Sequence, residues 1–113
     1  MINTLIKITG HLSLNRDELP VVYVAGKVTG MEYGAAWTMF KTRQVELEQL
    51  GFYVINPLDH IEETEHWQIA MRQAVVMLVC CDHICLLDNW HLSDGATLER
   101  NLALPLGINT IEI

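Results

Sequence analysis

The seven residues Ser93-Asp94-Gly95-Ala96-Thr97-Leu98-Glu99 put a hydroxyl, a glycine and a run of backbone N–H groups at the start of an expected helix, with a carboxylate about one turn in. The first N–H groups of a helix lack intrahelical partners, so this arrangement forms a small anion cradle beside a nucleophile or base. The same residues also read as a capped helix start, because Ser93 or Asp94 is a good N-cap and an early glutamate suits the helix dipole. Spacing alone leaves both readings open. A second loop, Gly26-Lys27-Val28-Thr29-Gly30, offers a glycine that lets backbone approach a ligand and a cation in an otherwise acidic chain. It is not a P-loop, since no Gly-Lys-Ser/Thr follows the required gap, and a plain tight turn is the simpler account of the glycine pair. Asp88 reads either as a loop-capping acid or as a polar group beside the same ligand. His11, His60, His66, His83 and His91 include no close helical pair, and Cys80-Cys81 with Cys85 lacks the usual two-residue gap, so no metal is expected and no cofactor is called for. His60 and His66, flanked by Glu62, Glu63 and Glu65, read as a solvated loop and helix start. Trp67 reads as core, and Trp37 and Trp90 as packing residues or pocket borders.

The elements that must position these residues alternate. Val21-Val22-Tyr23-Val24-Ala25 is a β-branched and aromatic run ending at Gly26, the signature of a buried strand. Over 33–50 the spacing of Ala36, Phe40, Leu47 and Leu50 predicts a helix that Gly51 stops in the left-handed conformation. Residues 52–56 form a second strand closed by Pro57. Thr64 is a plausible N-cap for a helix reaching about residue 80, with Trp67, Met71, Ala74 and Leu78 on one side. Residues 83–88 give a third strand, although an uninterrupted apolar run cannot be divided by periodicity. A helix over 94–104 stopped by Pro105 and a last strand over 108–113 complete the order. The expected fold is α/β: a three-layer, flavodoxin-like or Rossmann-like domain with a mainly parallel sheet. Residues 1–19 fit less well, and 5–9 read as an extra strand or pairing arm. Ligands of such sheets bind beyond the carboxyl ends of the strands, where both loops fall.

Composition sets the outer bounds. A chain of 113 residues, half of them hydrophobic and 19% charged, has material for one core and one domain. Seven basic against fourteen acidic residues give a formal charge of -7, the wrong sign for a phosphate backbone, so duplex nucleic acid and anionic membranes are poor partners. The apolar run over 74–87 is interrupted by Asp82 and His83 and falls short of a membrane span. The clustered cysteines read as buried, reduced thiols of a cytoplasmic protein. So apolar a small chain is expected to form a homo-oligomer.

From Val22 to Ile113 the order of short motifs resembles the nucleoside 2-deoxyribosyltransferase-like superfamily, closest to its small, often phage-borne, uncharacterised branch. The motifs are Tyr23-Val24-Ala25-Gly26, Gly51-Phe52-Tyr53-Val54-Ile55-Asn56-Pro57, Trp67 through Met71-Arg72, and Leu86-Leu87-Asp88-Asn89-Trp90 followed by Ser93 to Glu99. The resemblance implies transfer or hydrolysis at the N-glycosidic bond of a 2′-deoxynucleoside or its 5′-monophosphate, and oligomers whose sites a neighbour completes. It makes Glu99 the nucleophile toward C1′ and Tyr23 the residue that orients it. It places Ser93 at the substrate, where a serine favours a phosphorylated ligand; Gly95 beside it, and Gly26 with the Lys27 cation on the opposite loop, are expected to contact the same ligand. The helix start is expected to keep Glu99 ionised. One departure stands out: the family's catalytic aspartate, which helps the base leave, falls at Ala74. Asp88 is the candidate substitute. A nucleotide-binding protein that has lost turnover is the alternative reading.

Overall fold

Val21–Ala25 is almost wholly excluded from water along its length, with all five side chains at 1% exposure or less. A strand buried on both faces belongs in the middle of a sheet covered on both sides. In the computed structural model, which describes residues 19–113, this strand (β1) lies between β2 (Tyr53–Ile55) and β3 (His83–Leu86), and β4 (Asn109–Ile111) completes the order β2-β1-β3-β4. Every pairing is parallel, with Tyr23 opposite Ile55 on one side and Ile84 on the other. The arm or strand expected over 5–9 lies outside the described residues.

The period-2 alternation of β1 sorts its side chains between two cores. Val22 and Val24 pack with Phe40 and Leu47 of α1 (Tyr33–Gln49), whereas Val21, Tyr23 and Ala25 pack with Ala74, Met77 and Leu78 of α2 (Trp67–Leu78) and Ala96 and Ala103 of α3 (Asp94–Ala103). The chain is therefore an α/β domain in three layers, α1 on one face of the sheet and α2 and α3 on the other. After β2 it crosses over β1 to add β3, so the winding reverses between β1 and β3, the switch point at which a crevice opens beyond the strand ends.

Several boundaries differ from the sequence expectation. Glu32 caps α1, a position for which the sequence offered no cap, its carboxylate accepting from the N–H groups of Gly34 (3.0 Å) and Ala35 (2.8 Å). Gly51 takes φ +98° as the helix stop required, but Leu50 is 61% exposed and the fourth buried position of α1 is Gln44. Gln44 is buried because its Oε1 accepts from Asn56 Nδ2 at 3.0 Å, while Asn56 Oδ1 accepts from Leu58 N–H and fixes the turn at Pro57. The second long helix starts after His66, not Thr64, and stops at Leu78. There Asp82 ends the apolar run with two contacts to β1: its N–H donates to the Val21 carbonyl at 2.9 Å and its Oδ2 accepts from the Val21 N–H at 3.0 Å. The third strand ends at Leu86, though Leu87 N–H still reaches the Ala25 carbonyl at 2.8 Å.

That last contact explains Gly26. Its φ is not positive, so backbone freedom is not the reason for a glycine. A Cβ there would lie 2.6 Å from Leu87 Cδ1 and 2.9 Å from Leu87 Cβ, and the latter cannot swing away without moving the strand end. Gly26→Ala is expected to cost about 2 kcal/mol, seen as a lower urea midpoint with unchanged slope. An unchanged midpoint would mean that Leu87 yields.

Candidate functional site

At the carboxyl end of β1 the strand ends, the loop after Gly26, the segment before α2 and the first turns of α3 enclose a cavity of about 320 Å³. That is the lower end of the range for small-molecule sites and too small for a polymer duplex. Its floor holds the one buried acid among the described residues. Glu99 is 5% exposed, stands past the first turn of α3, and accepts a hydrogen bond from the hydroxyl of Tyr23, itself 1% exposed in mid-β1. Strand and helix bring these two residues together from 76 positions apart in the chain.

Burial pushes the Glu99 carboxyl up to about 7, because a charge loses its hydration there; the Tyr23 hydrogen bond opposes the rise and does not cancel it. This corrects the expectation that the helix start keeps Glu99 ionised, since the partial charge of a helix end fades within its first turn. Near neutrality the carboxyl divides between both forms, the condition under which one group can serve as nucleophile or proton carrier. Burial first, and then the charge of Glu99, push the Tyr23 phenol well above its ordinary range, so it remains the donor.

Ser93 caps α3, with its Oγ accepting from Ala96 N–H at 3.1 Å. The capping reading therefore holds, and Ser93 lines the cavity as well. Gly95 lines the cavity and leaves room for Met71, whose Sδ would stand 3.0 Å from a Cβ at this position. Tyr23, Gly26, Ser93, Gly95 and Glu99 thus meet around one space. Lys27 and Asp88 are not among its lining residues: Lys27 N–H donates to Asn89 Oδ1 at 3.1 Å, and Asp88 is exposed.

The aromatic expectations are partly reversed. Trp67 is 45% exposed and borders the cavity rather than filling the core. Trp90 packs against the core outside the cavity, with the guanidinium carbon of Arg100 5.6 Å from its ring centroid, and Trp37 is 43% exposed elsewhere. The sequence reading also missed Tyr33 and treated Glu62, Glu63 and Glu65 only as solvated; these residues form part of the cavity wall. The strong acidity of 59–65, next to a proline-marked strand end, was the available signal. Among the described residues no three His, Cys, Asp or Glu side chains are grouped to hold a metal ion.

Fold and site together define a parallel α/β protein with a small-molecule cavity at its switch point and a buried Tyr-Glu pair on the cavity floor. The chain belongs to the family described as Domain of unknown function (DUF4406), which matches residues 20–112. No curated protein matches the chain. No helix among the described residues is long and apolar enough to cross a membrane.

Proposed function

We propose that this protein cleaves or transfers at the N-glycosidic bond of a 2′-deoxynucleoside or deoxynucleotide, with Glu99 as nucleophile and Tyr23 as its positioning residue. The observation that carries this reading is the buried Glu99 carboxyl, held by the Tyr23 hydroxyl on the floor of a small-molecule-sized cavity. It supports the roles that the resemblance implies for these two residues. In its ionised form the carboxylate attacks C1′; the C1′–N bond breaks, and the base leaves with the bonding electrons and takes up a proton from solvent water. The resulting glycosyl ester is then opened by water, giving hydrolysis, or by a second base, giving transfer. The apolar walls strengthen the attraction between the carboxylate and an oxocarbenium-like centre. Ser93 and Gly95 face the same space and are the substrate contacts in this reading. A homo-oligomer that completes the site belongs to the same proposal; Leu92, Leu104 and Leu106, each more than half exposed, are apolar surface that such an assembly would cover.

A second reading, nucleotide binding without turnover, is favoured by Ala74. It lines the cavity and brings only a methyl group where the resemblance calls for a proton-donating aspartate, and Asp88 is not placed to replace it. One experiment separates the two. Deoxynucleosides and their monophosphates are incubated with the protein, stabilisation against heat is recorded, and the mixture is analysed for free base by chromatography. Base release that falls by roughly 10³-fold or more in Glu99→Gln supports the enzyme. Stabilisation with the ligand intact supports the binder, and no stabilisation with no release removes both.

A further inference from the structure

Resting on that reading, we infer that the cavity selects an uncharged nucleoside over its 5′-monophosphate. The argument is the sign of the charge around it. Among the described residues the acidic side chains of the wall are Glu62, Glu63, Glu65 and Glu99, and no lysine, arginine or histidine lines it. Glu62 and Glu63 precede α2, and Tyr33 stands opposite them at the start of α1. The charges of Glu63, Glu62 and Asp59 add to desolvation in raising the Tyr33 phenol, so the carboxylates of one wall are felt at the other. A phosphate monoester carries roughly -1.5 to -2 charges at neutral pH, and the carboxylates of Glu62, Glu63 and Glu65 repel it.

The groups that would offset the repulsion are neutral or, among the described residues, lie off the cavity. Ser93 Oγ accepts from Ala96 N–H in its capping bond and keeps one neutral O–H donor, which carries no charge to set against a phosphate, and the thioether of Met71 packs over Gly95 at the first turn of α3. Lys27 is off the lining, with its Cε 3.8 Å from the Cβ position of Gly30. A chain with fourteen acidic and seven basic residues supplies no general positive field either. A nucleoside meets none of this cost: its hydroxyls donate to carboxylates, and its base lies against Trp67 and the apolar wall.

The test is equilibrium binding of the four common deoxynucleosides and their 5′-monophosphates to the wild-type protein at low and at physiological salt. The preferred nucleoside should bind on the order of ten-fold more tightly than its monophosphate at low salt, with the gap narrowing as salt screens the wall. The variant Glu62→Gln/Glu63→Gln/Glu65→Gln should bring the two affinities together. A monophosphate that binds more tightly than its nucleoside, or a preference that the triple variant leaves untouched, overturns the inference. Tighter monophosphate binding with base release would leave the glycosidic reading standing and remove only the selectivity; no binding of either ligand removes both.

Discussion

Glu99→Gln will raise the melting temperature at pH 8 and change it far less at pH 5. The folded protein holds the Glu99 proton up to about pH 7, whereas the unfolded chain releases it near the ordinary value of 4.5. Between those values the folded state binds more protons, so stability falls as pH rises. The contribution of the neutral carboxyl is complete below pH 4.5 and is lost as pH climbs through 7. A shift of this size corresponds to about 3 kcal/mol. Glutamine keeps an oxygen for the Tyr23 hydroxyl and cannot ionise, so the variant escapes the loss. For a domain of this length the difference amounts to on the order of 10 °C in Tm, developing between pH 5 and pH 8. Scanning calorimetry of both proteins across that range checks it, because every other titrating group is common to the two. A constant offset at all pH values would show that Glu99 titrates in the folded state as it does in the unfolded chain.

Tyr23→Phe acts on the same pair from the other side. The Tyr23 hydrogen bond is the influence that holds the Glu99 carboxyl down against burial, and phenylalanine removes it with little change of shape. The carboxyl should move further up by on the order of one unit, and stability at pH 8 should fall by about 1–3 kcal/mol as an ionised carboxylate loses its partner. If Glu99 is the nucleophile, base release in the wild-type protein rises with pH through a midpoint near 7, and in Tyr23→Phe that midpoint moves to higher pH. A profile that drops uniformly without shifting would limit Tyr23 to packing.

What the sequence made legible followed from strong local signals. The β-branched run at Val21–Ala25, the glycine stop at Gly51 and the proline stops at Pro57 and Pro105 placed strands and helices to within a few residues, because each acts through its own backbone chemistry. Tyr23, Ser93, Gly95 and Glu99 were picked out from motif order, and the fold brings them to one cavity. The errors arise where long-range packing overrules a local preference. Leu50 continues the apolar stripe of α1 yet lies exposed, whereas Gln44 is buried because Asn56, twelve residues on, supplies its partner. Trp67 has the side chain of a core residue but stands at the first turn of α2, at the cavity rim. The ionisation of Glu99 was misjudged for the same reason: the dipole is visible in the spacing, but the burial that outweighs it comes from β1, far away in the chain.

The central place of β1 also orders events during synthesis. β1 leaves the ribosome first of the described strands, yet one of its neighbours, β3, begins 58 residues after β1 ends, and Glu99 follows later still. A nascent chain can assemble β1, α1 and β2 early, with one edge of β1 left open until β3 arrives. Tyr23 meets its carboxyl partner only when α3 docks, so the pair forms among the last contacts of folding. Ribosome-bound intermediates lacking α3 therefore carry no assembled Tyr-Glu pair, and any chemistry that depends on it begins only with the nearly finished domain.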